Sequence, residues 1–341
     1  MPLHNTGYQH WEGTRLGIWY RRWIIASNGL RGALQNKWLR RLLVLCWTGA
    51  MAQVAVLFLV GQLLVTDSLV TRSLDNLNPQ AKAVLKGLTA WLELHPEVSV
   101  RVTENFLFYQ FSRILFPISM LVLALAIPHL ITRDLGSKAI VIYSSKAVNR
   151  MDYLLGKFGT AVGLMSATWL GPVLFAWFLG NMLAPKWHFF WHSRLALIHS
   201  VLFIGISMVV LAVIAMGVSA ISKREKVPVS LWLGFWLVGR FLATLTTVRR
   251  AHTMDEGGPP EWLQNLSLTF NLEQVQAGLF RLVGDLKLAQ DNVPFLAQFT
   301  QGIPRHVLKA LEHPDLLGAA VGLTVMVALA VAIQNWRVRP E

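Results

Sequence analysis

A histidine that takes a proton and a carboxylate that orients it make a simple general-base pair. His129 and Asp134 could stand in that relation, within Pro128-His129-Leu130-Ile131-Thr132-Arg133-Asp134. The intervening four residues give a spacing used in acyl transfer. No companion Phe-Pro-Glu-Gly block is present, and a helix-end histidine beside a carboxylate set among cations accounts for the pair more simply. Other catalytic patterns are missing, including the His-Glu-x-x-His zinc signature and the Gly-x-Ser-x-Gly elbow. Gly156-Lys157 runs into Phe158 without a glycine at the offset a phosphate-binding loop needs, so any ATP used must be hydrolysed by another polypeptide. Arg240 is a cation inside an apolar run, where charge costs about 2.5–3.5 kcal/mol on insertion scales. It either lines a path and meets an anionic group, or reaches for the outer interface roughly 12 Å further along a helix.

The elements that must position these residues are six apolar stretches: Leu42 to Val65, Ile114 to Ile131, Phe158 to Leu183, Leu195 to Ile221, Val227 to Val248 and Leu316 to Trp336. A helix needs about 20 such residues to cross a hydrocarbon core of roughly 30 Å. Long runs without alternation exclude a barrel, and hydrocarbon leaves no other way to satisfy the backbone. The sequence therefore predicts an all-α membrane protein with one six-span domain over 42–336. Composition agrees: 54% of residues are hydrophobic, 14% are charged and fourteen are tryptophan. The single thiol, Cys46, allows no internal disulfide and no cysteine metal cluster. The first run follows 41 mostly polar and basic residues and is longer than a signal-peptide core, so it is expected to stay as an anchored span.

A net charge of +13 suggests nucleic acid until its distribution is examined. With a cytoplasmic amino terminus, the inner segments 1–41, 132–157, 222–226 and 337–341 hold 17 basic residues against five acids. The outer segments 66–113, 184–194 and 249–315 hold 13 of each over more sequence. The positive-inside rule then puts both termini in the cytoplasm, in a plasma (inner) membrane, and topology accounts for the charge without nucleic acid.

Before the first span, Leu16, Trp19, Trp23, Leu30, Leu34 and Trp38 fall at helical spacing, with Ser27 completing the stripe and Arg15, Arg22, Lys37 and Arg41 off it. This predicts an amphipathic helix at the headgroup level, either a generic anchor or an elbow packed against a partner. In the first outer loop, Asn78-Pro79 and His95-Pro96 punctuate an expected helix over Gln80 to Leu94. In the last, Gly257-Gly258-Pro259-Pro260 precedes an amphipathic stretch, Trp262 to Leu286, expected to form short interfacial or re-entrant helices.

The most specific stretch joins the second and third spans. It carries Arg133-Asp134, then Gly136 and Lys138, an apolar strip Ala139-Ile140-Val141-Ile142-Tyr143, the turn Ser144-Ser145-Lys146-Ala147-Val148-Asn149-Arg150, and Asp152-Tyr153-Leu154-Leu155-Gly156-Lys157. Gly136 suits a chain reversal past the second span, and Asn149 suits an N-cap with Asp152 complementing the positive end of the third helix. The strip between cations suits docking into a groove. The stretch resembles the first cytoplasmic loop of ABC-type-two permeases, the membrane subunits of ATP-binding-cassette exporters. That family shows the Arg-Asp pair, a nearby glycine, an apolar strip, a Ser-Arg-Pro-Ile-Ser-Arg-like turn and Tyr-Leu-Leu-Gly-Lys. Here Ala147 stands where proline is usual, Lys146 for arginine and Asn149 for serine.

The resemblance implies an exporter subunit that pairs with a second permease chain, the same or a sister, and with two ATPase subunits carrying the ATP and Mg. It implies that the loop from Arg133 to Arg150 touches the ATPase, making Arg133, Asp134, Gly136, Lys138, Tyr143, Ser145, Lys146, Arg150, Asp152 and Lys157 the coupling residues; Arg240 is a candidate for the translocation path from its place inside a span alone, not from the resemblance. No cofactor is expected on this chain. Two alternatives are kept: a membrane-embedded acyltransferase using His129 and Asp134, and a carrier or scaffold independent of any ATPase.

Overall fold

The computed structural model describes residues 17–62, 79, 86–87, 89–90, 94–137, 149–184, 188–252, 260–292 and 311–338. Among them the regular structure is helical, with no strand. The amphipathic helix α1 (Ile18–Leu34) leads into α2 (Lys37–Gln62). Asn36 makes the joint: its Oδ1 accepts the Trp38 N–H at 3.0 Å and its carbonyl the Arg40 N–H at 3.2 Å, so it caps α2. There follow α3 (Pro96–Gly136), α4 (Arg150–Met182), α5 (His188–Ala220) and α6 (Lys226–His252). A 3-10 turn (Glu261–Leu266), α7 (Leu268–Phe280) and α8 (Leu282–Asn292) precede α9 (Leu316–Arg337). Six helices, α2 to α6 and α9, are long and apolar enough to cross a membrane, which gives the all-α six-span class.

Helix α3 is longer than its apolar run. It begins at Pro96, whose missing N–H costs nothing at a helix start, and its 41 residues extend about 60 Å, twice a hydrocarbon core. The added polar residues are paired, with Asn105 and Glu104 buried and Arg101 partly exposed. Arg101 Nη2 reaches Asp285 Oδ1 at 3.1 Å, and Asn105 Nδ2 donates to Phe280 O at 2.7 Å and to Asp285 Oδ2. Partners on α7 and α8 thus allow polar residues to continue a helix whose hydropathy predicts a stop.

Helices α3 and α5 form the centre, and α2, α6 and α9 the lipid-facing rim, where Val44, Leu45, Val238, Phe241, Val325 and Leu329 are exposed. At the core the fully buried Trp169 of α4 meets Phe116 of α3 and Phe203 of α5 edge-on, at 5.7 and 5.5 Å. Trp232 Nε1 of α6 donates to Met120 O at 3.0 Å. Arginine–tryptophan stacks on α1 (Arg22 over Trp19), α2 (Arg41 over Trp38) and α9 (Arg337 over Trp336) mark headgroup level on one side.

Two π turns interrupt the central helices, at Pro128–Thr132 in α3 and Ser166–Leu170 in α4. Each frees backbone groups that a neighbour satisfies. In α3, Ser219 Oγ donates to Ile127 O at 2.7 Å and accepts from the Ile131 and Thr132 N–H groups, while Thr132 Oγ1 donates to Ser219 O. In α4, Gly171 N–H reaches back to Ser166 O, and the freed Ala167 carbonyl accepts Trp47 Nε1 at 3.0 Å.

The stretch Trp262 to Leu286 folds back against the spans. Ser267, the N-cap of α7, lies against Gly239, eight residues or about 12 Å short of the Thr247 end of the fifth span. Leu268, Leu272 and Phe280 join the main core, and Gln276 Nε2 donates to Tyr109 O at 3.0 Å. Arg281, at φ 48°, turns the chain from α7 into α8. The expected helix over Gln80 to Leu94 lies largely outside the described residues.

Candidate functional site at the α3–α4 loop face

The two roots of the α3–α4 loop are tied to each other and to α1. Asp134, near the end of α3, receives Lys157 Nζ at 2.7 Å and the Tyr153 hydroxyl at 2.7 Å, both from the first turns of α4. Lys157 is buried, and it also donates to His129 O at 3.2 Å. The π turn makes that bond available, because the Arg133 N–H goes to Pro128 O rather than to His129 O. Asp152, one turn earlier on α4, is buried under α1, and Arg22 binds its Oδ1 through both Nε (2.7 Å) and Nη2 (2.6 Å).

Small residues let α1 approach α4 closely. A Cβ on Gly156 would stand 2.7 Å from Ile25 Cβ, and one on Gly159 would stand 3.1 Å from Ala26 Cβ. One on Gly29 would collide with the Thr160 side chain, whose hydroxyl donates to Ala26 O at 3.2 Å. This is the small-residue packing that membrane helices use where hydrocarbon gives no hydrophobic drive. The protein-facing side of α1 is therefore Arg22, Ile25, Ala26, Gly29 and Ala33. Trp19 and Trp23 of the sequence stripe face outward and are exposed, while Leu30 and Leu34 pack on a small core with Leu39, Val122 and Leu164. Leu16 lies outside the described residues.

Other cations of this face are held internally. Arg133 Nε meets Glu225 Oε1 at 2.8 Å, tying α3 to the α5–α6 turn, and this guanidinium draws the Glu225 carboxyl below the usual carboxylate range. Arg150 Nη2 donates to Gln334 O (3.0 Å) and Asn335 Oδ1 (3.1 Å), joining α4 to the end of α9. Arg337 Nη2 donates to Ile221 O at 2.9 Å. Gly136 sits in the last helical turn of α3 rather than at a reversal; its role is closeness, since a Cβ there would stand 3.3 Å from Lys223 O. Asn149 holds the N-cap position with extended backbone, and its carbonyl accepts the Tyr153 N–H, but its side chain does not cap. Lys138, Tyr143, Ser145 and Lys146 lie outside the described residues.

Of the sequence-predicted coupling residues, the structure brings Asp134 and Lys157 together. It places Asp152 on α1, Arg133 on the α5–α6 turn, Arg150 on α9 and Gly136 against Lys223. Arg240 is elsewhere, on α6, ion-paired with Glu273 of α7 at 3.3 Å. His129 and Asp134 share a recess of about 300 Å³ under α1. Asp134 there is engaged by Lys157 and Tyr153, and the His129 Nδ1 is buried without a hydrogen-bond partner among the described residues, so no hydrogen bond couples Nδ1 to that carboxylate. Sequence reading missed Arg22, Gly29 and Ser219. Gly29 had a signal, the close glycine spacing of Gly29 and Gly32 in one segment and of Gly156, Gly159 and Gly163 in the other; Arg22 and Ser219 had none. No protein-family model matches the chain, and no curated protein shows significant similarity to it.

Proposed function

We propose that this chain is the membrane-spanning permease subunit of an ATP-binding-cassette exporter of the type-two kind. It works as a dimer, with itself or a sister chain, and two separate ATPase subunits dock on its α3–α4 loop. The observation that carries the reading is the locking of that loop's roots: Asp134 to Lys157 and Tyr153 across the loop, and Asp152 to Arg22 of α1. Force applied between such roots moves α1, α3 and α4 together instead of being absorbed by a hinge. The two ends of the loop carry the Arg-Asp and Tyr-Leu-Leu-Gly-Lys elements of the resemblance, which is independent support.

In this reading the loop face is cytoplasmic, as its basic excess favours, with both termini on that side of the plasma (inner) membrane. ATP and Mg sit on the partner, whose closure pushes the loop and biases the bundle between inward-closed and outward-open states. The test is purification from the native membrane in mild detergent, comparing wild type with the Lys138→Glu/Lys146→Glu variant. Those two cations are preferable to Arg133 and Asp152, whose substitution would break pairs inside the chain. A stoichiometric ATPase that is lost in the variant supports the reading; absence of any ATPase, even after crosslinking in intact membranes, overturns it.

A further inference from the structure

On the half of the bundle remote from the α3–α4 loop, a cavity of about 220 Å³ opens between α3, α6 and α7, and a second of about 210 Å³ adjoins it. The two share Arg113, Arg240, Thr269 and Glu273. They differ in chemistry. The first is walled by Phe116, Phe203, Trp236 and Leu272, and the second by the hydroxyl residues Thr244, Thr247 and Ser267. The shape is that of an amphiphile, with a polar lobe and an apolar lobe meeting at two guanidinium groups.

Charge and hydrogen bonding at the junction are incomplete. Two arginines face one carboxylate, and Glu273 is ion-paired to Arg240 at 3.3 Å. Among the described residues no carboxylate forms an ion pair with Arg113. Arg240 stands 14 residues, about 21 Å, from the Lys226 end of α6, at a depth where its neighbours Leu237, Val238 and Phe241 are exposed to lipid. A cation at such a depth is costly unless paired, and Glu273 supplies that pair for Arg240, which leaves Arg113 as the excess cation of the junction. Thr269, 2% exposed, has a buried hydroxyl with no hydrogen-bond partner, and so has the indole Nε1 of Trp236. Thr269 lies in the first turn of α7, where no in-helix carbonyl stands four residues back to receive it. The same turn directs the positive end of the α7 dipole toward the pocket. One excess guanidinium and two unspent donors therefore converge on the junction, beyond what the single Glu273 carboxylate receives.

We infer that this paired cavity binds an anionic amphiphile, a phosphate or carboxylate headgroup on an alkyl or acyl chain, which enters sideways from the bilayer. The headgroup sits between Arg113 and Arg240 and takes the Thr269 hydroxyl proton as a hydrogen bond; the chain lies along Phe116, Phe203 and Leu272. The inference goes beyond the exporter reading and needs no ATPase.

The test is native mass spectrometry of the full chain released from a neutral maltoside detergent and titrated with dodecyl phosphate. One saturable adduct is expected on wild type. Its affinity should fall about tenfold or more in Arg113→Gln and Arg240→Gln, and severalfold in the near-isosteric Thr269→Val, with Arg31→Gln on α1 unchanged. Dodecylphosphocholine and inorganic phosphate should not compete. Equal adducts on all variants would mean non-specific adsorption, and equal binding of dodecylphosphocholine would mean that the chain alone is recognised. Displacement by inorganic phosphate at comparable concentration would mean a free-anion site. Any of the three overturns the inference.

Discussion

Removing the Lys157 ammonium should be among the most damaging single changes at the loop face. Lys157 and Asp134 meet at 2.7 Å with only 8% and 17% of their side chains exposed. Breaking a buried pair from one side strands the other charge, which typically costs about 3–5 kcal/mol. Asp134 keeps its bond from the Tyr153 hydroxyl in the variant, so Lys157→Met belongs near the lower end, about 3 kcal/mol. Asp134→Leu strands the ammonium instead, relieved by His129 O and the Tyr153 ring, and should cost about as much. The double variant replaces both charges with apolar groups and should recover most of the loss, giving a coupling energy of about 2 kcal/mol or more. The assay is reversible unfolding in mixed micelles titrated with dodecyl sulfate and followed by tryptophan fluorescence, run on all four proteins of the cycle. A coupling below about 0.5 kcal/mol, with Lys157→Met nearly neutral, would refute the locked-root description.

Gly156→Leu should peel α1 from α4, because even its Cβ stands 2.7 Å from Ile25 Cβ; proteolysis within 17–36 should become faster in membranes while the spans stay folded. Arg281→Gly should stabilise the protein by about 1 kcal/mol in the same micelle titration, since a left-handed backbone at φ 48° is unfavourable for any side chain. The Arg133–Glu225 tether should respond to pH in one direction. Its folded carboxyl is depressed, so its contribution is present above the ordinary carboxylate pKa and is lost as pH falls through the lower folded value. Both side chains are about half exposed, so the effect is under about 1 kcal/mol. A spin-label distance between 133-adjacent and 225-adjacent positions should lengthen only in acid, and Glu225→Gln should show the long distance at neutral pH.

How much of this was legible in the sequence depends on where each partner lay. The six spans were visible because an apolar run long enough to cross hydrocarbon has few other fates. The extent of α3 was not, since Arg101 and Asn105 look like loop residues until Asp285 and the Phe280 carbonyl, some 180 positions on, are placed beside them. The amphipathic stripe found α1, but its tryptophans Trp19 and Trp23 are exposed; the side packed on α4 is made of Ile25 and the small residues Ala26, Gly29 and Ala33, which give no strong hydropathy signal. Arg22 read as one of several flanking cations because its partner, Asp152, is 130 residues away. The π turn beside His129 depends on Ser219, a hydroxyl at the far end of another span, which no local pattern reveals.

The central claim, that the α3–α4 loop is a docking surface for an ATPase, is tested most directly by placing a photo-crosslinking amino acid at Ser145 and illuminating intact cells. The account predicts one dominant adduct with a nucleotide-binding ATPase, weakened by Lys138→Glu/Lys146→Glu and changed in yield by ATP. An accessible Ser145 that labels from the cell exterior and forms no adduct with any ATPase would contradict it.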